Sequence, residues 1–317
     1  MFRHIKEMIY LNKTDVLILI IFEIITIILF IEFPVFTPVL FIMLEYLVLT
    51  YSINMITGFT GYVDFGHIVF YGIGAYATAV AIENFYMLQI NPYIFSIIGG
   101  IIASAFALLI GTPILKVRGA YFAIATLGMN EAMKVLISNT AALGGSYGIP
   151  LARYVKYDPI SSYISMWILL LITMVMTLYI SNSKFGYGLR SIYENEDAAE
   201  ALGVNTRLYK LSAYALSAFI AGIAGGISGI LHVYISTEGY FDVTYNVKML
   251  VAMMLGGQGT IIGPLIGGII LYTIEYTTLV SFANIHPIIF GVLLIGLVLF
   301  MPRGIMGVIA RKFRFLR

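Results

Sequence analysis

The 317-residue chain contains no cysteine. Disulfides, thiolate metal sites and cysteine nucleophiles are thereby excluded. Charge is scarce as well: Asp, Glu, Lys and Arg make up 11% of the residues against 60% hydrophobic, and mean hydropathy is +0.96. A soluble domain carries roughly 25% charged residues. No G-x-x-x-x-G-K-[S/T] occurs, and no lysine follows a glycine, so the chain has no P-loop to cradle a nucleotide. H-E-x-x-H is missing too, and no cluster of His and carboxylates stands at metal spacing, which argues against a membrane-embedded enzyme. The net charge of +2 is too small to suggest a nucleic-acid partner.

What is present is apolar sequence in runs close to the ~20 residues that cross a bilayer, repeated along the whole length. The expected fold is all-α: one integral membrane domain over residues 1–317, a polytopic bundle of about 8–10 transmembrane helices with glycine-broken segments. Spans are predicted near 16–33, 38–56, 66–82, 93–111, 119–137, 162–180, 208–232, 245–256, 263–280 and 287–301. The piece ending at Gly256 is short, and "LGGQGTIIGP" after it breaks any helix, so a re-entrant or discontinuous helix is an equal reading there. The first span, Val16 to Phe33, contains Glu23 and Glu32 and lacks a small-residue cleavage site, which reads as a retained span and not a signal peptide.

Basic residues set the orientation. With the amino terminus inside, cytoplasmic segments hold fourteen Lys and Arg, outside connections hold three (Arg153, Lys156, Lys248), and Lys134 lies within a span. That asymmetry predicts both termini in the cytoplasm of a multi-pass cell (plasma) membrane protein. Two stretches, "NMITGFTGYVDFGHIVFYGIGAY" and "AMMLGGQGTIIGPLIGGIILY", share a plan of helix, glycine-rich break and second helix, and suggest a parallel internal repeat.

Between two spans lies "SIYENEDAAEALGVNTR", residues 191–207, the most polar stretch of the chain. Ser191 and Glu194 match a capping box, Glu196 and Asp197 follow in the early turns, and Gly203 supplies a stop. A cytoplasmic helix of about three turns is expected, with Ile192, Ala199 and Leu202 on one face and with Ala198 and Ala199 keeping the surface thin. So short a helix is marginal alone, and docking on something is the natural way to hold it.

Ionisable residues in spans are costly and are functional candidates by default. Glu45, Glu131 with Lys134, His232 and Glu275 qualify, and Glu131 and Lys134, three apart on one helical face, either neutralise each other, at least as good a reading, or contact substrate. Asp64 and His67 stand at the first glycine break, where exposed backbone groups can hold a zwitterion, or where both side chains simply satisfy the backbone. The candidate substrate path is therefore Asp64 and His67 with Gly58, Gly61, Gly256, Gly257 and Gly259 from the two breaks.

"RSIYENEDAAEALGVNTRLYKLSAYALSAFIAGIAGGISG" resembles the cytoplasmic EAA-type loop and following helix of ABC importer permeases, in the version of the LivM-like branched-chain amino acid permease family. "GFTGYVDFGHIVFYGIGAYATA" is similar to that family's early glycine-rich motif, "LVAMMLGGQGTIIGPLIGG" to its late one and "GLVLFMPRGIMG" to its closing span. No proline closes the loop, a departure from the wider ABC pattern that the LivM-like version shares. The resemblance implies a permease subunit that imports branched-chain amino acids, or a related small polar solute, by alternating access, without being an enzyme. It implies that residues 190–205 form a coupling helix against an ATPase, with Arg190, Glu194, Asn195, Ala198, Ala199, Gly203 and Asn205 at the motif positions. Implied partners are a homologous permease subunit in a heterodimer, two cytoplasmic ATP-binding subunits and an extracytoplasmic solute-binding protein, besides the lipid bilayer. No cofactor would bind this chain, ATP being used by the partner subunits. The alternative is an ion-coupled secondary transporter working through Glu45, Glu131 or Glu275, a class with no need for such a docking helix.

Overall fold

Proline, glycine and short polar caps cut the apolar chain into helices. In the computed structural model, which describes residues 2–281 (side chains from Thr14) and positions 288, 291, 292, 305 and 306, these are α1 (Phe2–Glu32), α2 (Thr37–Ile53), α3 (Ile68–Phe85), α4 (Pro92–Ile114), α5 (Ala120–Ser138), α6 (Pro159–Asn182), α7 (Lys184–Glu194), α8 (Glu196–Ala201), α9 (Thr206–His232), α10 (Thr237–Tyr240), α11 (Val243–Gly256) and α12 (Gly263–Ser281). Two-residue strands β1 (Ile149–Pro150) and β2 (Tyr234–Ile235) pair antiparallel. Helix starts follow local chemistry: Asn91 caps Tyr93 N at 3.0 Å ahead of Pro92, and Asp158 caps Ile160 N and Ser161 N, both at 3.1 Å, ahead of Pro159.

Seven described segments are long and apolar enough to span a membrane: Thr14–Glu32, Pro34–Gly58, Ile68–Leu88, Pro92–Ile114, Pro159–Asn182, Thr206–His232 and Gly263–Ser281. The expected span at 119–137 forms as α5, but Asn130, Glu131 and Lys134 make it the most polar candidate. The short piece before Gly256 is α11, of 14 residues, well below the ~20 needed to cross. The span expected at 287–301 lies, apart from isolated positions, outside the described residues, as do Arg303 and the basic residues after it.

Helix α9 is the centre of the bundle and α1 its periphery. Without water between helices, membrane packing relies on close approach through small residues. Here α3, α4 and α9 meet on glycine: a Cβ on Gly74 would lie 2.1 Å from Gly222 O, and one on Gly222 would lie 2.6 Å from Ala103 Cβ.

Four sequence expectations are corrected. Ser191 caps nothing: it lies inside α7, where its hydroxyl donates back to Gly188 O at 2.7 Å, and the caps are Ser183 before α7 and Asn195 before α8. Extended backbone at Asn195 (φ −163°) divides the anticipated single helix in two. Leu202 follows the last residue of α8 as its C-cap and lies off the face that buries Ile192 and Ala199, 85% exposed. Finally, Lys134 pairs with Glu238 at 2.9 Å and not with Glu131, because the chain after α9 returns an acid to it from another element.

Candidate functional site

The two glycine breaks, about 200 residues apart in sequence, touch. The first runs from a π-helical turn, Asn54–Gly58, through Gly61 (φ +76°) to α3, and the second runs from Gly257 (φ +126°) and Gly259 (φ +69°) to α12. A Cβ on Gly58 would sit 2.7 Å from Gly259 N, and one on Gly259 would sit 2.6 Å from Gly58 O. Gly256 instead packs α11 on α12, against Gly263 O.

Asparagines clamp both breaks. Asn54 accepts Gly259 N–H at 2.9 Å and donates to Thr260 O at 3.2 Å. Asn246 of α11 donates to Asp64 O and accepts Ile68 N–H, both at 2.9 Å. Each side chain satisfies one donor and one acceptor of irregular backbone, which in a membrane protein cannot be left to water.

Asp64 and His67 are 0% exposed and face each other. His67 Nδ1 lies 3.1 Å from Asp64 Oδ2, and Nε2 lies 2.8 Å from Ser52 Oγ, whose single proton goes to Ser217 O at 2.7 Å. Ser52 Oγ is thereby left to accept from His67 Nε2–H, while Asp64 faces the other ring nitrogen. The order Ser52–His67–Asp64 is that of a hydrolytic triad, yet Ser52 is itself 0% exposed and donates to a carbonyl. What the arrangement does is latch α2, the first break and α9 together. Asp64 Oδ1 also accepts Gly66 N–H at 3.0 Å, so the backbone-satisfying reading of Asp64 holds in part.

The polar segment is bolted to this centre at two points. Glu196, the first residue of α8, accepts from Lys210 Nζ at 2.6 Å and from Tyr62 OH at 2.6 Å, and Arg118 Nε lies 3.4 Å from it. Lys210, only 4% exposed, also donates to Tyr62 OH (2.8 Å) and Leu115 O (3.0 Å). Arg118 continues to Asp197 at 2.9 Å. Tyr193 of α7 makes the second attachment: a Cβ on Gly61 would meet its ring at 2.9 Å, and its hydroxyl accepts from Gln258 Nε2 at 2.6 Å. One side chain thus touches both breaks. Arg190 turns inward as well, donating to Ser181 Oγ at 2.6 Å and lying over the Phe59 ring at 5.6 Å.

Of the motif positions, Ala199 is buried against the chain's own bundle, whereas Glu194, Asn195, Ala198, Gly203 and Asn205 are exposed. Asn195 and Asn205 act as caps, accepting Ala198 N–H at 3.0 Å and Leu208 N–H at 3.1 Å, and Gly203 (φ +89°) reverses the chain between α8 and α9. The surface left free is Ala198 and Leu202 rimmed by Glu194, Asp197 and Glu200. Sequence reading passed over Tyr62, Tyr193, Lys210, Asn54 and Asn246, and took Glu196 only as an acid in the first turns of a helix. A lysine one turn into an apolar helix and amides inside others were the available signals.

Burial would raise the Glu196 carboxyl, but hydrogen bonds from Lys210 and Tyr62 and the charges of Lys210 and Arg118 outweigh it and hold the group below its ordinary value. A lowered folded value means that the attachment is fully present above the ordinary ~4.3 of a glutamate and is lost as pH falls through the lower folded value. Leu202→Cys would carry the only thiol in the chain. A spin label there should show unchanged mobility from about pH 8 to about pH 5 and loosen only below about pH 4. Loosening near neutrality would contradict the Glu196 attachment.

The profile of the family described as "Branched-chain amino acid transport system / permease component" matches residues 35–301. The chain belongs to that family. This permease component is 27% identical over 291 residues to the high-affinity branched-chain amino acid transport system permease protein LivM of Escherichia coli K12, covering 82% of this chain and 67% of that protein. It is 25% identical over 312 residues to a probable LivM permease of Methanocaldococcus jannaschii, covering 82% and 90%. The LivH permease of E. coli K12 is 26% identical over 291 residues, covering 83% and 91%. No solved structure matches the chain. The protein is a multi-pass membrane permease. The ion-coupled alternative gains no support: Tyr71 OH donates to Glu45 at 2.6 Å, Glu275 is ion-paired with Lys248, and Glu131 is exposed on α5.

Proposed function

We propose that this permease translocates branched-chain amino acids, or a small polar solute of the same kind, by alternating access, with the two glycine breaks as its gate and α7–α8 as the lever that works it. The observation carrying this reading is the junction: Tyr193 contacts both breaks, and Glu196, Lys210 and Tyr62 tie α8 to the first. A push on α8 is delivered to the place where Gly58 and Gly259 close on each other.

The lever has to be moved by something, and the sequence carries no P-loop motif. ATP-hydrolysing partners docking on Ala198 and Leu202 would supply the work, with ATP used by them and no cofactor held here. Two such ATPases, a homologous permease completing a heterodimer and an extracytoplasmic solute-binding protein make up the proposed importer. The α7–α8 end and both termini are assigned to the cytoplasmic side of the cell membrane in this reading, which the excess of basic residues there supports. Asp64 and His67 are assigned to the latch behind the gate, while the path itself runs past Gly58, Gly61, Gly257 and Gly259.

Burial redirects the test of docking. Arginine at Ala199 would disrupt the subunit's own packing, but Ala198→Arg and Leu202→Asp alter only exposed surface. Both should lower uptake at least tenfold in the reconstituted importer while membrane insertion and circular dichroism stay unchanged. Normal uptake, with ATP hydrolysis still stimulated by solute, would overturn the lever.

A further inference from the structure

A cavity of about 200 Å³ opens between the end of α4, the turn leading to α5 and the first turn of α9. Its ten lining residues include Lys116, Arg118, Arg207 and Lys210, in a chain with only 18 Lys and Arg among 317 residues. One carboxylate, Glu196, shares the wall. The cations divide into two kinds. Lys210 and Arg118 are engaged by Glu196, and Arg118 also by Asp197. Lys116 and Arg207 are exposed and form no ion pair among the described residues, so the cavity carries surplus positive charge on these two side chains. Thr206 and Arg207 open the 27-residue α9, whose N-terminal partial charge has the same sign.

Depth decides what kind of anion belongs there. The candidate spans Pro92–Ile114 and Thr206–His232 end and begin at this cavity, which puts it at the boundary between hydrocarbon and headgroups. Leu115 and Leu211 supply apolar wall beside the charges. We infer that the cavity binds the phosphate of an anionic membrane phospholipid, held by Lys116 and Arg207 at the foot of α9. Basic pockets between helices at headgroup level are suited to that ligand, and a forked guanidinium beside a lysine matches phosphate oxygens. A lipid seated there would stand directly beneath the Glu196–Lys210 attachment and brace it.

The full-length protein in phosphatidylcholine nanodiscs, with or without phosphatidylglycerol, provides the test. Native mass spectrometry should show wild type retaining phosphatidylglycerol in preference to phosphatidylcholine, and phosphatidylglycerol should raise the thermal unfolding midpoint. In Lys116→Gln/Arg207→Gln the preference should fall roughly tenfold or more, and the thermal gain should vanish. Arg153→Gln/Lys156→Gln, which removes two basic residues from the opposite end, should keep both. Wild type without lipid preference, or the first double variant retaining it, would overturn the inference. So would inorganic phosphate reproducing the thermal gain in phosphatidylcholine alone, since that outcome assigns the cavity to a soluble anion.

Discussion

Replacing Lys210 with methionine is expected to abolish uptake while the subunit remains inserted in the membrane. An ammonium has three N–H donors, and Lys210 has an acceptor for each: Glu196 Oε1, Tyr62 OH and Leu115 O. Methionine fills the apolar part of the space but leaves Glu196, 11% exposed, with a weakened set of partners and takes the Lys210 donor from Leu115 O, just past the end of α4. Removing one member of a buried pair typically costs about 3–5 kcal/mol, far more than the pair itself contributes relative to an apolar replacement. The double variant Lys210→Met/Glu196→Gln should therefore be less damaged than Lys210→Met alone, with a coupling of about 1–3 kcal/mol. Thermal unfolding of the purified subunit and uptake by the reconstituted importer measure the two consequences. Additive effects of the two substitutions would show that the contact does not hold α8.

Gly259→Val should be equally severe by a different route. Its backbone is left-handed, which a β-branched residue adopts only under strain, and its new Cβ would lie 2.6 Å from Gly58 O. The breaks would be wedged apart, so uptake should fall by at least about a hundredfold, an effect of some 3 kcal/mol. Asn54→Leu loses two hydrogen bonds to the same break without adding bulk there, and a milder loss, about tenfold, is expected. Flux assays on proteoliposomes with matched protein content distinguish these. If Gly259→Val transports normally, the breaks are not the gate.

Much of the fold was legible because bilayer crossing writes itself as long apolar runs, and because Pro92, Pro159 and the glycine breaks punctuate them. The resemblance to branched-chain amino acid permeases was legible from motifs in their order. Local capping was less so. The serine and glutamate at 191 and 194 imitate a helix start, but Ser183, Asn195 and Asn205 each offer a cap at the true starts, and the hydroxyl of Ser191 finds a carbonyl inside a helix already under way. Least legible were the attachments that give the site its sense. Tyr62 and Glu196 are 134 residues apart, and Gln258 and Tyr193 are 65 apart. No periodicity or spacing connects residues whose meeting depends on how four helices pack. Composition marks Lys210 as an oddity in an apolar helix, and only the fold supplies its acceptors.

The most direct measurement of the central claim uses the absence of cysteine. Ala198→Cys and Met87→Cys each introduce a single thiol, the first on α8 and the second on an exposed turn after α3. In the assembled importer, a short photoactivatable cross-linker on residue 198 should capture the ATP-hydrolysing subunit, with a yield that changes when a non-hydrolysable nucleotide is added. The same probe on residue 87 should capture none of it. Capture of the ATPase from residue 87 and not from residue 198, or a yield at 198 that nucleotide leaves unchanged, would contradict the assignment of α7–α8 as the lever.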